Sequence, residues 1–321
     1  MWFLKIKMYL LLAILFAIVY AVVSMISYSL GVTNFYFYLI LSIVMMFIQY
    51  MLGPKVVEWM MQVRYVSEKE YPHLHRMVEE LAWKAGIPKP RIGVSYVSIP
   101  NAFAFGRSIR DGRVCVTTRI IQLLSEEELK AVLGHEISHI RNRDMLTITL
   151  LSVIPMLLYR LSWHLLWFGS GRRREERGPS VALIGMVAFL FYFITNLLVL
   201  YASRIREYFA DRGSIILGNK ASALATALYK LVYGSARTER QEFRNIEGLK
   251  AFFLNDPSRA LNEIRELRQI DLDKSGTIDP YELESLQNRP VRLDFADKLL
   301  ELLSTHPNMV KRIKQLSRYS S

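Results

Sequence analysis

Two histidines four residues apart, His135 and His139, bracket Glu136 in the stretch HEISH. On a helix that spacing puts both imidazoles on one face, where they can share one zinc ion. Glu136 stands between them, where a carboxylate polarises water on such a metal rather than ligating it. A catalytic zinc commonly takes three protein ligands and keeps one position for water. The third ligand must therefore come from elsewhere in the chain. REYFAD, ending at Asp211, offers Glu207 as that ligand and Asp211 one helical turn later on the same face. Asp211 is then placed to accept a hydrogen bond from a ligating histidine, fixing its tautomer and raising its basicity. The plain alternative is an exposed acidic pair on a juxtamembrane helix, and it needs no metal.

The elements that must carry these residues are legible around them. Ser125 followed by Glu126, Glu127 and Glu128 reads as an N-cap with an acidic first turn, opening the helix that bears HEISH. That helix is expected to run with little interruption into an apolar stretch. Upstream, SEKEYPHLHRMVEELAWKAG alternates at helical period and stops at Gly86. PRIGVSYVSIPNAFAFG and GRVCVTT then read as short strands, broken by Pro100 and by a turn at Asp111–Gly112. Residues 203–321 read as mostly helical.

Apolar residues make up 52% of the 321-residue chain, and the excess lies in four runs, at 8–30, 35–53, 145–170 and 181–202. The first is long enough to span a bilayer without a charge and lacks the cleavage site of a removed signal, so it reads as a retained anchor. The formal net charge of +12 invites a nucleic-acid reading. Much of that charge lies beside the apolar runs, where it sets orientation and meets anionic lipid, and the nucleic-acid reading is rejected. Lys5 and Lys7 before the first run and the uncharged connection 31–34 after it place the N-terminus and the polar regions in the cytoplasm. Arg172, Arg173, Arg174 and Arg177, between the third and fourth runs, oppose that topology. Four full crossings are the favoured reading, with an incompletely crossing hairpin as the alternative. The lone Cys115 excludes an intramolecular disulfide and suits a reducing compartment.

HEISH, REYFAD, the stretch PNAFAFG and the ending STHPNMVKRIKQL together resemble the HtpX-type membrane zinc metallopeptidases, relatives of the CAAX prenyl endopeptidases. The resemblance covers nearly the whole chain, including the order of anchors and motifs. It implies His135, His139 and Glu207 as zinc ligands, Asp211 as their orienting partner and Glu136 as general base. It also implies quality-control cleavage of damaged or misassembled proteins from the cytoplasmic side. His306 and Arg312, in an HP…R arrangement similar to the family's C-terminal motif, are candidates for the donor that stabilises the oxyanion. For His306 a helix-capping role beside Pro307 is an equal alternative. Asn101, Ala102, Phe103 and Ala104, with Phe105, would form an edge strand receiving an extended substrate by backbone pairing. A plain core strand is the alternative there.

A second metal-binding pattern lies at 271–282, DLDKSGTIDPYE, and matches a calcium-binding EF-hand loop. Asp271, Asp273, Ser275, Asp279 and Glu282 occupy positions one, three, five, nine and twelve, and Thr277 offers its carbonyl at seven. Gly276 supplies the sharp turn at six, and ALNEIRELRQI and YELESLQN flank the loop as helices. Such loops normally come in pairs, and only one is present. An acidic helix–helix connection without metal is the alternative.

The expected fold is therefore a mainly α membrane protein. Four transmembrane helices accompany a cytoplasmic, gluzincin-like α+β metalloprotease domain with a small edge sheet. Its segments are a hairpin at 1–54, a protease segment at 55–144, a second hairpin at 145–202 and a protease segment at 203–321, with the EF-hand-like insertion at 259–290. The expected enzyme is a multi-pass zinc endopeptidase of the cell membrane acting on misfolded or membrane proteins, with Zn2+ as catalytic metal and Ca2+ in the loop. Two alternatives stand beside it: a narrow processing peptidase of CAAX type, and a calcium-binding membrane scaffold with a vestigial protease site.

Overall fold

The computed structural model describes residues 35–144, 180–236, 260–267, 269–287 and 301–319, with scattered helical residues between 155 and 166. The expected first span, most of the third and the arginine-bearing connection at 172–177 lie outside the described residues. The chain divides into two compact units, one of residues 1–52 and 146–205, the other of 53–145 and 206–321. Among the described residues, one helix, at Leu183–Ile216, is long and apolar enough to cross a membrane.

Helix α1 (Phe35–Met60) does not stop near Pro54, where the second apolar run was expected to end. Proline removes one helical hydrogen bond. The turn beyond it is held by burial, because Val57 and Met61 pack with Ile99, Phe103, Phe105 and Cys115. Four strands follow in the second unit: β1 (Val63–Tyr65), β2 (Arg91–Ser95), β3 (Ala102–Phe105) and β4 (Arg113–Thr117). They form one sheet in the order β1-β2-β4-β3, with β2 and β4 parallel and the other pairs antiparallel. β4 is buried along its whole length, as a central strand covered on both faces should be. Its Val114 and Val116 join the main core, and Cys115 faces the α1 cluster.

The main core is closed by helices. α2 (Pro72–Ala85) starts with its proline at the first turn and ends at Gly86, whose φ of 67° is the left-handed cap that glycine adopts freely. After α3 (Thr118–Leu123) comes α4 (Glu126–Arg141), opened by a full capping box between Ser125 and Glu128. The expected run of α4 toward the third apolar stretch is interrupted within the described residues. The helix ends at Arg141, Asn142 caps it, and Arg143 adopts a φ of 56°. The turn returns Asp144 to His139 and Arg206, with which it makes ion-paired contacts.

α5 (Ser180–Ile216) carries REYFAD in its last three turns. Here it closes tightly on α4, since a methyl at Gly213 would meet Ser138 Oγ at 2.2 Å and one at Gly134 would meet Asn219 Nδ2 at 2.3 Å. Ser214 Oγ donates to the Ala131 carbonyl at 2.6 Å across this contact. Two missing side chains thus bring the two motif-bearing helices together. α6 (Ala221–Ala236) packs on α4, and against α6 lie α7 (Ala260–Leu267), α8 (Pro280–Ser285) and α9 (Met309–Leu316).

Candidate active site

His135 and His139 project from α4 with their Nε2 atoms 3.0 Å apart. Glu207, on α5, closes the triangle: Oε2 lies 3.5 Å from His135 Nε2 and Oε1 lies 3.6 Å from His139 Nε2. One ligand atom from each residue falls within 4.8 Å of the other two. Each histidine is held from behind by a carboxylate. Asp211 Oδ1 is 2.9 Å from His135 Nδ1, and Asp144 Oδ2 is 2.5 Å from His139 Nδ1. A carboxylate at Nδ1 keeps the proton there and leaves the Nε2 lone pair free. Two lone pairs and a buried carboxylate then face one another, which is tolerable only around a positive charge.

Burial opposes a charge on His135, but the neighbouring Asp211 and Glu207 carboxylates outweigh that and push it up to about 9, so without a metal the site itself draws in a proton as its positive charge. Glu207 Oε2 is buried and accepts no hydrogen bond, although Arg312 Nη1 lies 3.2 Å away. The donor set and its convergence therefore fit a divalent metal such as zinc.

Glu136 is 4% exposed and sits beside this group. Burial pushes its carboxyl up, partly offset by the histidines and by a hydrogen bond from the Ala104 backbone. That last contact places β3, and with it Ala102, Phe103 and Ala104, next to the candidate base. β3 is one of the two edge strands of the sheet. The Thr117 N–H donates to the Asn101 carbonyl, so the antiparallel alternation directs Phe103 and Phe105 toward β4 and the backbones of Ala102 and Ala104 to the outer edge.

His306 is also drawn in, with Nδ1 3.5 Å from Glu207 Oε2 and neither ring nitrogen hydrogen-bonded. Arg312 is fully buried on α9. Its Nε and Nη2 grip Asp211 at 2.9 and 2.6 Å, and Nη2 lies 3.5 Å from His135 Nδ1. Asp271, Asp273 and Glu282 form a second group whose carboxylate oxygens lie within 4.8 Å of one another.

The profile of peptidase family M48 matches residues 68–320. The chain is 48% identical over 231 residues to a protease HtpX homolog of Methanothermobacter thermautotrophicus, covering 72% of this chain and 86% of that protein. The chain belongs to peptidase family M48. A second HtpX homolog, from Moorella thermoacetica, is 33% identical over 279 residues, covering 86% of this chain and 81% of its own. The crystal structure of S. mikatae Ste24p shares the fold with a TM-score of 0.52 at 17% identity, covering 97% of this chain and 65% of that one. This M48 protein is thus a membrane-bound metalloendopeptidase.

Two residues of this M48 site escaped the sequence reading, Asp144 and Arg206. Arg206 Nε lies 3.0 Å from Asp144 Oδ1 and so anchors the carboxylate that holds His139. The available signal was the acid five residues beyond His139 in RNRD, hidden by the assumption of a continuous helix. Asp144→Asn should lower metal affinity about 10–100-fold, as loss of an orienting carboxylate does. Competition with a zinc chelator measures this, and an unchanged affinity would remove Asp144 from the site.

Proposed function

We propose that the chain is a zinc-dependent endopeptidase that cleaves misfolded or damaged proteins, membrane proteins among them, at the cytoplasmic face of the cell membrane. The observation that carries this reading is the meeting of His135, His139 and Glu207 beside Glu136 and the edge strand β3. Zn2+ held by the two Nε2 atoms and the Glu207 carboxylate would supply Lewis acidity toward water and the scissile carbonyl. Asp211 and Asp144 keep the two imidazoles in the ligating tautomer. The Glu136 carboxylate takes a proton from the attacking water and passes it to the leaving amine.

An extended substrate lies along the outer edge of β3, pairing with the backbone of Ala102 and the carbonyl of Ala104, whose N–H is held by Glu136. Backbone pairing reads no particular side chain, which favours unfolded substrates. His306, with both ring nitrogens unengaged, donates to the developing oxyanion. Arg312 has a different role from the one its motif suggested: its fork is engaged by Asp211 and Glu207, which supports positioning of the ligands.

The multi-pass anchor and cytoplasmic orientation rest on the four apolar runs and the charge asymmetry around them. The loop 271–282 is assigned to Ca2+. Removing zinc with a chelator should abolish cleavage of an unfolded protein by the full chain in detergent, and stoichiometric Zn2+ should restore it. Activity that persists in protein shown to be metal-free would defeat the zinc reading.

A further inference from the structure

A single EF-hand loop lacks the partner loop that normally satisfies its backbone at position eight. Here the protease body takes that place. Thr226 Oγ1, on α6, accepts from the Ile278 N–H at 2.9 Å and donates to the Ile278 carbonyl at 3.0 Å. Ile278 itself is buried in the main core. One hydroxyl thus makes both bonds that a neighbouring strand would make.

The loop is also shaped for an occupant. Its twelve residues carry four carboxylates and one lysine. Asp271, at position one, is 6% exposed. Its Oδ2 accepts from Tyr229 Oη at 2.7 Å and from the Gly276 N–H at 3.1 Å, but its buried Oδ1 has no hydrogen-bond partner. A buried carboxylate oxygen left without a donor is costly unless a cation meets it. Asp273 and Glu282 bring their oxygens to the same place. Oxygen-only ligands in this spacing, with Gly276 at a φ of 80° for the turn, suit Ca2+ rather than the smaller, octahedral Mg2+.

The two helices joined by this loop hold α9, the helix of Arg312, at both ends. Glu266, on α7, accepts from Asn308 Nδ2 at 2.6 Å, and Asn308 is the N-cap of α9. Gln287, just beyond α8, donates to the carbonyl of Ser317, the C-cap of α9. We infer that the loop binds one Ca2+, which locks α7 and α8 onto the two caps of α9 and so holds Arg312 against Asp211 and Glu207. The inference deepens the proposed protease reading and rests on it for Arg312's role. Calcium binding itself does not depend on that reading.

The test uses full-length, zinc-loaded Glu136→Gln protein in detergent, so that no step requires proteolysis. Equilibrium dialysis should find one Ca2+ per chain, retained against excess Mg2+. Glu282→Gln should weaken it about tenfold or more by removing a ligand charge. Asp273→Ala, at an exposed position that does not threaten folding, should do the same. Thr226→Val should weaken it about tenfold by orphaning the Ile278 backbone. Amide exchange across 309–316 should slow about tenfold with Ca2+ in the parent and stay unchanged in the Glu282→Gln protein. No binding, binding indifferent to these variants, or equal binding of Mg2+ would overturn the calcium site. Binding without slower exchange across 309–316 would overturn the link to α9. Failure of the wild-type chain to cleave protein would count against the protease reading alone.

Discussion

Glu136→Gln protein should retain its fold and its metal, and hydrolyse an unfolded protein about 10²–10⁴-fold more slowly than wild type. The substitution keeps shape and volume and exchanges a proton acceptor for an amide. Gln can still accept the Ala104 N–H through its oxygen, so the contact between α4 and β3 survives. What is lost is a site for the proton of the attacking water. Metal content per chain, measured beside the rate, makes the result decisive. A variant that loses activity and metal together would make Glu136 a ligand, and one that keeps full activity would end its assignment as base.

Arg312→Met should destabilise the chain by about 3–5 kcal/mol, the usual cost of removing one partner from a buried ionic network. The guanidinium is fully buried and faces two carboxylates, Asp211 at 2.6 Å and Glu207 at 3.2 Å. Without it those charges share a buried site with only the histidines and the metal to balance them. Arg312→Lys should recover only part of the loss, because one ammonium cannot reproduce the two-pronged grip on Asp211. Zinc affinity should fall as well, about 10–100-fold, since Asp211 orients His135. Denaturant unfolding and chelator competition on the same samples check both effects. Stability within 1 kcal/mol of wild type, which is about the error of such a comparison, would show the pair to be dispensable.

Both effects trace to residues whose legibility in the sequence differed. Glu136 lies inside a five-residue motif, and helical period alone relates it to His135 and His139. Arg312 is marked in the sequence only by its place in a C-terminal motif, and its contact with Asp211, 101 residues away, has no local signal. Asp144 was missed although it is only five residues from His139. The contact depends on α4 stopping at Arg141, and that stop is stabilised by Arg206 from another helix. Likewise β3 could be read as a strand from AFAF. Its place at the edge follows from the parallel pairing of β2 with β4, which no local pattern encodes.

Local periodicity by itself determined the placing of His135 and His139 on one face of α4, of Glu207 and Asp211 on one face of α5, the capping box at Ser125, the cap at Gly86 and the twelve-residue pattern at 271–282. Each is set by spacings of three to five residues or by a single turn, where chain geometry leaves little choice. Only the tertiary structure decided which carboxylate stands behind which histidine, which carboxylates meet Arg312, and that Thr226 bonds both backbone groups of Ile278. Those pairings join segments about 100 residues apart in the case of Arg312 with Asp211 and Glu207, and they form because buried charges and backbone groups must find partners wherever packing of the core brings them.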